Sequence, residues 1–139
     1  MLGRRTARRD AATAARIEEW RSFAAAWQLD IVHVERVQRR YRHGTKAFLA
    51  REPDLRTCDG WIEGFSATAG QMIVGRGNLG WGQHTQRDGV LYINTINAVV
   101  PRRDVLAWRR HLERRQPPKA PGRSRSRRAG LVGAYDDPS

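Results

Sequence analysis

The sequence predicts an α+β domain: two N-terminal helices, a small antiparallel sheet over residues 60–100, a basic C-terminal helix, and disordered basic tails. Three observations predict it. Apolar residues recur at helical spacing early in the chain. Short β-rich runs cut by glycine fill its middle. A basic amphipathic stretch lies between Pro101 and Pro117-Pro118. A length of 139 residues allows one domain with tails. We divide it into a basic arm at 1–9, the domain at 10–115, and a Pro-, Gly-, Ser- and Arg-rich tail at 116–139.

Residues 10–28, DAATAARIEEWRSFAAAWQ, are Ala-rich, and Ile17, Trp20, Ala24 and Trp27 fall on one helical stripe. Asp30 can cap a second helix, IVHVERVQRRYRH, ending at Gly44. On it Ile31, Val34, Val37 and Tyr41 share an apolar arc, with Arg36, Arg39, Arg40, Arg42 and His43 opposite. Its β-branched residues argue for a strand, but the alternation is poor. TKAFLARE fits either a short helix or a strand, and EPDLRTCDG reads as a loop. WIEGF, QMIVG and GVLYINTINAVV then read as three or four antiparallel strands. Asp88-Gly89 is a hairpin signal that sets GWGQHTQ against VLYINTI. Pro101 suits the start of a last helix. There Val105, Trp108 and Leu112 share one stripe, and Arg102, Arg103, Arg109, Arg110 and Arg114 lie on the opposite arc. The tail carries too little apolar surface to fold alone.

The net charge is +12, almost all of it from Arg; Lys46 and Lys119 are the only lysines. An Arg-, Ala- and Gly-rich composition also follows from a GC-rich genome, so the distribution of charge matters more. Residues 45–100 carry as many acids as bases, and the excess sits at both ends. That polarity is the footprint of a polyanion partner. No apolar run reaches the ~18 residues of a membrane span, so no membrane association is expected. Cys58 is the single cysteine, which excludes an internal disulfide and points to a reducing cytoplasm.

VGRGNLGWG, residues 74–82, contains G-x-G-x-x-G at Gly75, Gly77 and Gly80. A dinucleotide site needs a helix after this motif and an acid about 20 residues on. WGQHTQRDG is a poor helix, and INAVV holds no acid. The glycines are therefore expected to permit turns and positive φ between strands. Alternatively their amides, with Arg76, form an anion nest on a phosphate backbone. His33, His43, His84 and His111 lack metal-ligand spacing, so neither metal nor cofactor is expected.

The expected function is a non-catalytic nucleic-acid-binding accessory protein, bacterial or phage, associated with the nucleoid or other cytoplasmic nucleic acid. DNA is placed ahead of RNA. Arg102, Arg103, Arg109, Arg110, Arg114, Arg39, Arg40 and Arg76, with Arg123 and Arg125 of the tail, would meet phosphates. A structural protein of a virion or ribonucleoprotein, docking on a protein partner, is the alternative. A small metal-free ribonuclease toxin is the second: His84, with Arg87 and Tyr92, would supply the acid–base group and a cation.

Overall fold

The computed structural model describes residues 2–115; the tail at 116–139, with Arg123 and Arg125, lies outside them. The first helix, α1, runs Leu2–Trp27, so residues 2–9 of the expected basic arm are helical. It ends where Gln28 takes a left-handed φ of 55°. There the Leu29 N–H bonds the Ala24 carbonyl at 2.8 Å and the Gln28 N–H the Ala25 carbonyl at 3.4 Å. This pair of bonds satisfies carbonyls that the helix end would leave without partners.

The expected second helix does not exist. Asp30–Tyr41 is a strand, β1, followed by β2 (Gly44–Arg51), β3 (Arg56–Glu63), β4 (Met72–Leu79) and β5 (Val90–Val100). The reason is local. Register shifts between Val34 and Arg36, and between Val37 and Arg39, change the phase of β1 along its length. A bulge adds one residue to a strand and so moves the next apolar side chain to the odd or even set. Val32, Val34 and Val37 all reach the barrel interior or its edge, yet their spacing is uneven. Without the bulges in view, that spacing resembles a helix.

The expected open antiparallel sheet is likewise replaced by a closed five-stranded barrel in the order β1-β2-β3-β5-β4. Strands 4-1-2-3 form a Greek key. β5 closes the ring by pairing parallel with β3 and antiparallel with β4. Closure leaves no sheet edge. GWGQHTQ is not a strand; the Asp88-Gly89 turn lies in the loop joining β4 to β5. The last helix, α2 (Arg102–Arg115), follows Pro101 as expected.

Two apolar layers hold the domain. Val32, Val34, Leu49, Ile62, Ile73 and Ile93 fill the barrel. Outside it, Ala14, Ile17 and Ala24 of α1 and Val105 and Trp108 of α2 pack on Ile31, Met72, Val74 and Val100. The helix pair therefore covers the side of the barrel made by β1, β4 and the end of β5. Buried Thr45 ties down the β3–β4 connection: its hydroxyl donates to the Phe65 carbonyl at 2.6 Å and accepts from the Ala67 amide at 2.9 Å.

The glycine motif belongs to this closure. It lies on β4 and in the turn after it, and no helix follows. A Cβ on Gly75 would collide with the Thr95 carbonyl, so β5 can approach only a bare backbone. Gly77 donates its N–H to Asp30 Oδ2 at 3.0 Å. Only Gly80 serves a turn, with φ of 89°.

Candidate functional site

The arginines expected to form one patch on α2 have different environments. Arg110 and Arg114 grip Asp10 of α1: Arg110 Nε and Arg114 Nη1 lie 3.0 and 2.7 Å from Asp10 Oδ2. Asp10 is only 2% exposed. The hydrogen bond from Arg110, aided by Arg114, outweighs burial and holds its carboxyl below the ordinary value. These two guanidiniums are tied to the helix–helix joint. Arg103 is largely exposed, near Asp104 at 3.9 Å. Arg102 packs its side-chain carbons beside Gly70 and, with Arg109, lines a recess against His33 and Glu35. Arg76 is exposed on β4, paired in register with Thr95. Arg40 donates to the Ala67 carbonyl at 3.0 Å. Arg39 is elsewhere, its Cζ 5.1 Å from the centre of the Tyr41 ring.

Arg39 leads to a groove on the side of the barrel away from the helices. The register there sets Lys46 of β2 opposite Trp61 of β3, and Trp61 opposite Tyr92 of β5. Alternation along each strand sends Ala47, Ile62 and Leu91 inward, so the row Lys46–Trp61–Tyr92 faces out. Tyr41, at the end of β1, closes the row with its ring 5.7 Å from Trp61. Gly44 makes room for this, since a Cβ there would meet the Trp61 ring. Further along, Arg36 Cζ lies 5.4 Å over the Phe48 ring. Arg87 and Thr85 of the β4–β5 loop form the far wall, and the groove encloses about 270 Å³.

Tyr92 is almost wholly covered by that loop; its hydroxyl and the Thr85 hydroxyl are 3.0 Å apart, and Gly82 lies against its ring. It anchors the loop, while Tyr41 at 47% and Trp81 at 60% exposure present open ring surface. Trp61 is oriented by a 2.7 Å hydrogen bond from its indole N–H to Glu63 Oε1. Lys46 and Arg87 line the groove with one carboxylate, Asp59; beside it Arg36 and Arg39 lie over Phe48 and Tyr41, and Glu63 is bound to Trp61, so this face carries more cations than carboxylates.

A larger recess of about 650 Å³ lies where the β2–β3 turn meets Leu79 and Gly89. It holds no aromatic ring, and its Arg51 is bound to Asp30 at 2.6 Å. Its Cys58 thiol is pushed up by burial, against the lowering effect of Arg51, which makes it a weak nucleophile at neutral pH. Among the described residues no cluster of His, Cys, Asp or Glu could hold a metal ion. No helix of the described residues is long and apolar enough to cross a membrane.

Of the set expected to carry ribonuclease chemistry, all three residues converge here: Arg87 and Tyr92 in the groove lining, and His84 at its rim, bound to Glu63. Sequence reasoning missed Tyr41, Lys46 and Trp61 of the lining and Phe48 and Glu63 beside it. The available signal was Trp61 in DGWIEGF, an outward position once the strand is phased by Ile62. Comparison with known protein families, curated proteins and solved structures gives no match for this chain.

Proposed function

We propose that the chain binds single-stranded nucleic acid in the groove lined by Tyr41, Lys46, Trp61 and Arg87. The observation that carries this reading is the pairing of rings with cations on this face: Arg36 on Phe48 and Lys46 beside Trp61 across adjacent strands, and Arg39 on Tyr41 within β1. Bases stack on aromatic faces while phosphates meet Lys and Arg, and each stacked base contributes about 1–3 kcal/mol. A duplex hides its base faces and could use only the cations. The open rings therefore favour a strand whose bases are free.

The architecture supports the same reading by analogy. Five-stranded Greek-key barrels of the oligonucleotide/oligosaccharide-binding kind use the face of strands 2 and 3, with the loops after strands 1 and 4. Those positions here are Lys46, Trp61, the turn at Arg42 and His43, and the β4–β5 loop. Architecture alone assigns no function. It leaves two ligand classes, and the cations favour a polyanion over a neutral glycan.

Fluorescence anisotropy with a labelled single-stranded oligonucleotide tests the proposal. Binding should weaken linearly in log–log coordinates with salt. If Arg36, Arg39, Lys46 and Arg87 each meet a phosphate, the slope is about −3. Binding that ignores salt, preference for duplex over single strand, or retention of a neutral oligosaccharide instead would overturn it.

A further inference from the structure

Two imidazoles stand at one end of the groove, brought together from separate connections. His43 lies in the β1–β2 turn, and its carbonyl accepts the Gly64 N–H at 2.6 Å. His84 lies in the β4–β5 loop. Their ring centres are 6.1 Å apart. Glu63 of β3 places Oε2 3.2 Å from His84 Nε2, while its Oε1 holds the Trp61 indole. Glu63 is only 14% exposed and His84 is 63% exposed, so a shielded carboxylate orients an accessible ring. A strand stacked on Trp61 is thereby held next to a pair of acid–base groups.

We infer that His43 and His84 cleave RNA at the end of the groove, without a metal. The inference rests on the groove reading above. Glu63 accepts a hydrogen bond from His84 Nε2–H, which fixes the proton on that nitrogen and leaves Nδ1 as the base. His84 takes the proton of a ribose 2′-hydroxyl, and the oxygen attacks the adjacent phosphorus. The P–O2′ bond forms and the P–O5′ bond breaks. His43, protonated, gives its proton to the departing 5′-oxygen. One product ends in a 2′,3′-cyclic phosphate and the other begins with a 5′-hydroxyl. No water, metal or oxidant is consumed, and proton count and charge balance. Lys46 and Arg87 of the groove hold the flanking phosphates of the strand. His43 and His84 are the catalytic residues, and Glu63 is a positioning residue. DNA lacks the 2′-hydroxyl, so it binds and stays intact.

The test incubates full-length protein with a fluorescent RNA oligonucleotide in EDTA, beside DNA of the same sequence. Products are identified by mass spectrometry, and DNA binding is followed in parallel by anisotropy. The parent should yield cyclic-phosphate and 5′-hydroxyl ends. His43→Gln and His84→Gln should each lower the rate at saturating protein by about 100-fold or more, a loss far larger than any change in DNA affinity. Glu63→Gln should change the shape of the pH–rate profile, which a purely structural role would not do. DNA bound with RNA left intact, or cleavage undiminished in both His variants, overturns this inference and leaves the groove reading standing. Failure to bind either nucleic acid overturns both.

Discussion

At the scale of single residues, Trp61 and Asp10 separate binding from folding. Trp61 lies on the outer face, half-buried and lining the groove, so Trp61→Ala removes a stacking platform while the barrel interior is kept. The expected loss is about 1–3 kcal/mol of affinity for a single-stranded oligonucleotide, with the unfolding midpoint little changed. Titration of the variant by anisotropy, beside a denaturant melt, checks both halves. Asp10 acts on the fold. Its carboxyl is held below the ordinary value of 3.8 by Arg110 and Arg114, and Glu52 is held below 4.5 by the hydrogen bond from His33 and the charge of Arg21, against its burial. For a lowered carboxyl, the stabilisation is complete above the unfolded value and is lost as pH falls through the folded one. Stability should therefore be flat near neutrality and decline below about pH 4. Asp10→Asn should lower the melting temperature at pH 7 and shrink that acid decline, as read by thermal melts across pH. A variant that melts like the parent at pH 7 would remove Asp10 from the helix joint.

At the scale of elements, α2 and β4 carry the informative contrasts. α2 was legible because Val105 and Trp108 repeat on one stripe and Pro101 marks its start. What the pattern could not show is that Arg110 and Arg114 turn to Asp10, since their partner lies 100 and 104 residues away in sequence. Arg110→Ala with Arg114→Ala should lower the melting temperature by several degrees and leave oligonucleotide affinity unchanged under conditions where the variant is folded. A fall in affinity like that of a groove variant would return α2 to the binding surface. β1 was misread because two register shifts break its alternation, and bulges depend on the partner strand. β4 holds the glycine motif, whose spacing resembles a nucleotide fingerprint. Here Gly75 meets the β5 backbone, so Gly75→Val should cost at least about 1–3 kcal/mol through overpacking. Circular dichroism on urea titration measures that loss, and a variant as stable as the parent would mean that closure does not depend on a bare backbone there.

At the scale of the whole molecule, the helices cover one side of a closed barrel and leave the other open. The apolar stripes of α1 and α2 were legible in part: Ile17, Ala24, Val105 and Trp108 are buried, whereas Trp27 and Leu112, placed on the same stripes, are exposed. The barrel was not legible, because its closing pair joins β3 to β5 in parallel across the whole β4 hairpin. For the same reason the groove was invisible: Tyr41, Lys46, Trp61 and Arg87 meet only after four strands are paired. Formal charge drew attention to the ends of the chain, whereas the groove combines modest charge with open rings. The central claim is that single-stranded nucleic acid lies on this open face. Two-dimensional ¹H–¹⁵N chemical-shift mapping with an unlabelled oligonucleotide tests it most directly, because backbone amides and indole N–H groups of both faces are read at once. The account predicts that the Trp61 indole signal and amides of Tyr41, Lys46 and Arg87 move together in a saturable, salt-sensitive way, while the Trp108 indole stays fixed. Shifts confined to Arg102–Arg115, with the Trp61 signal unmoved at saturation, would contradict it.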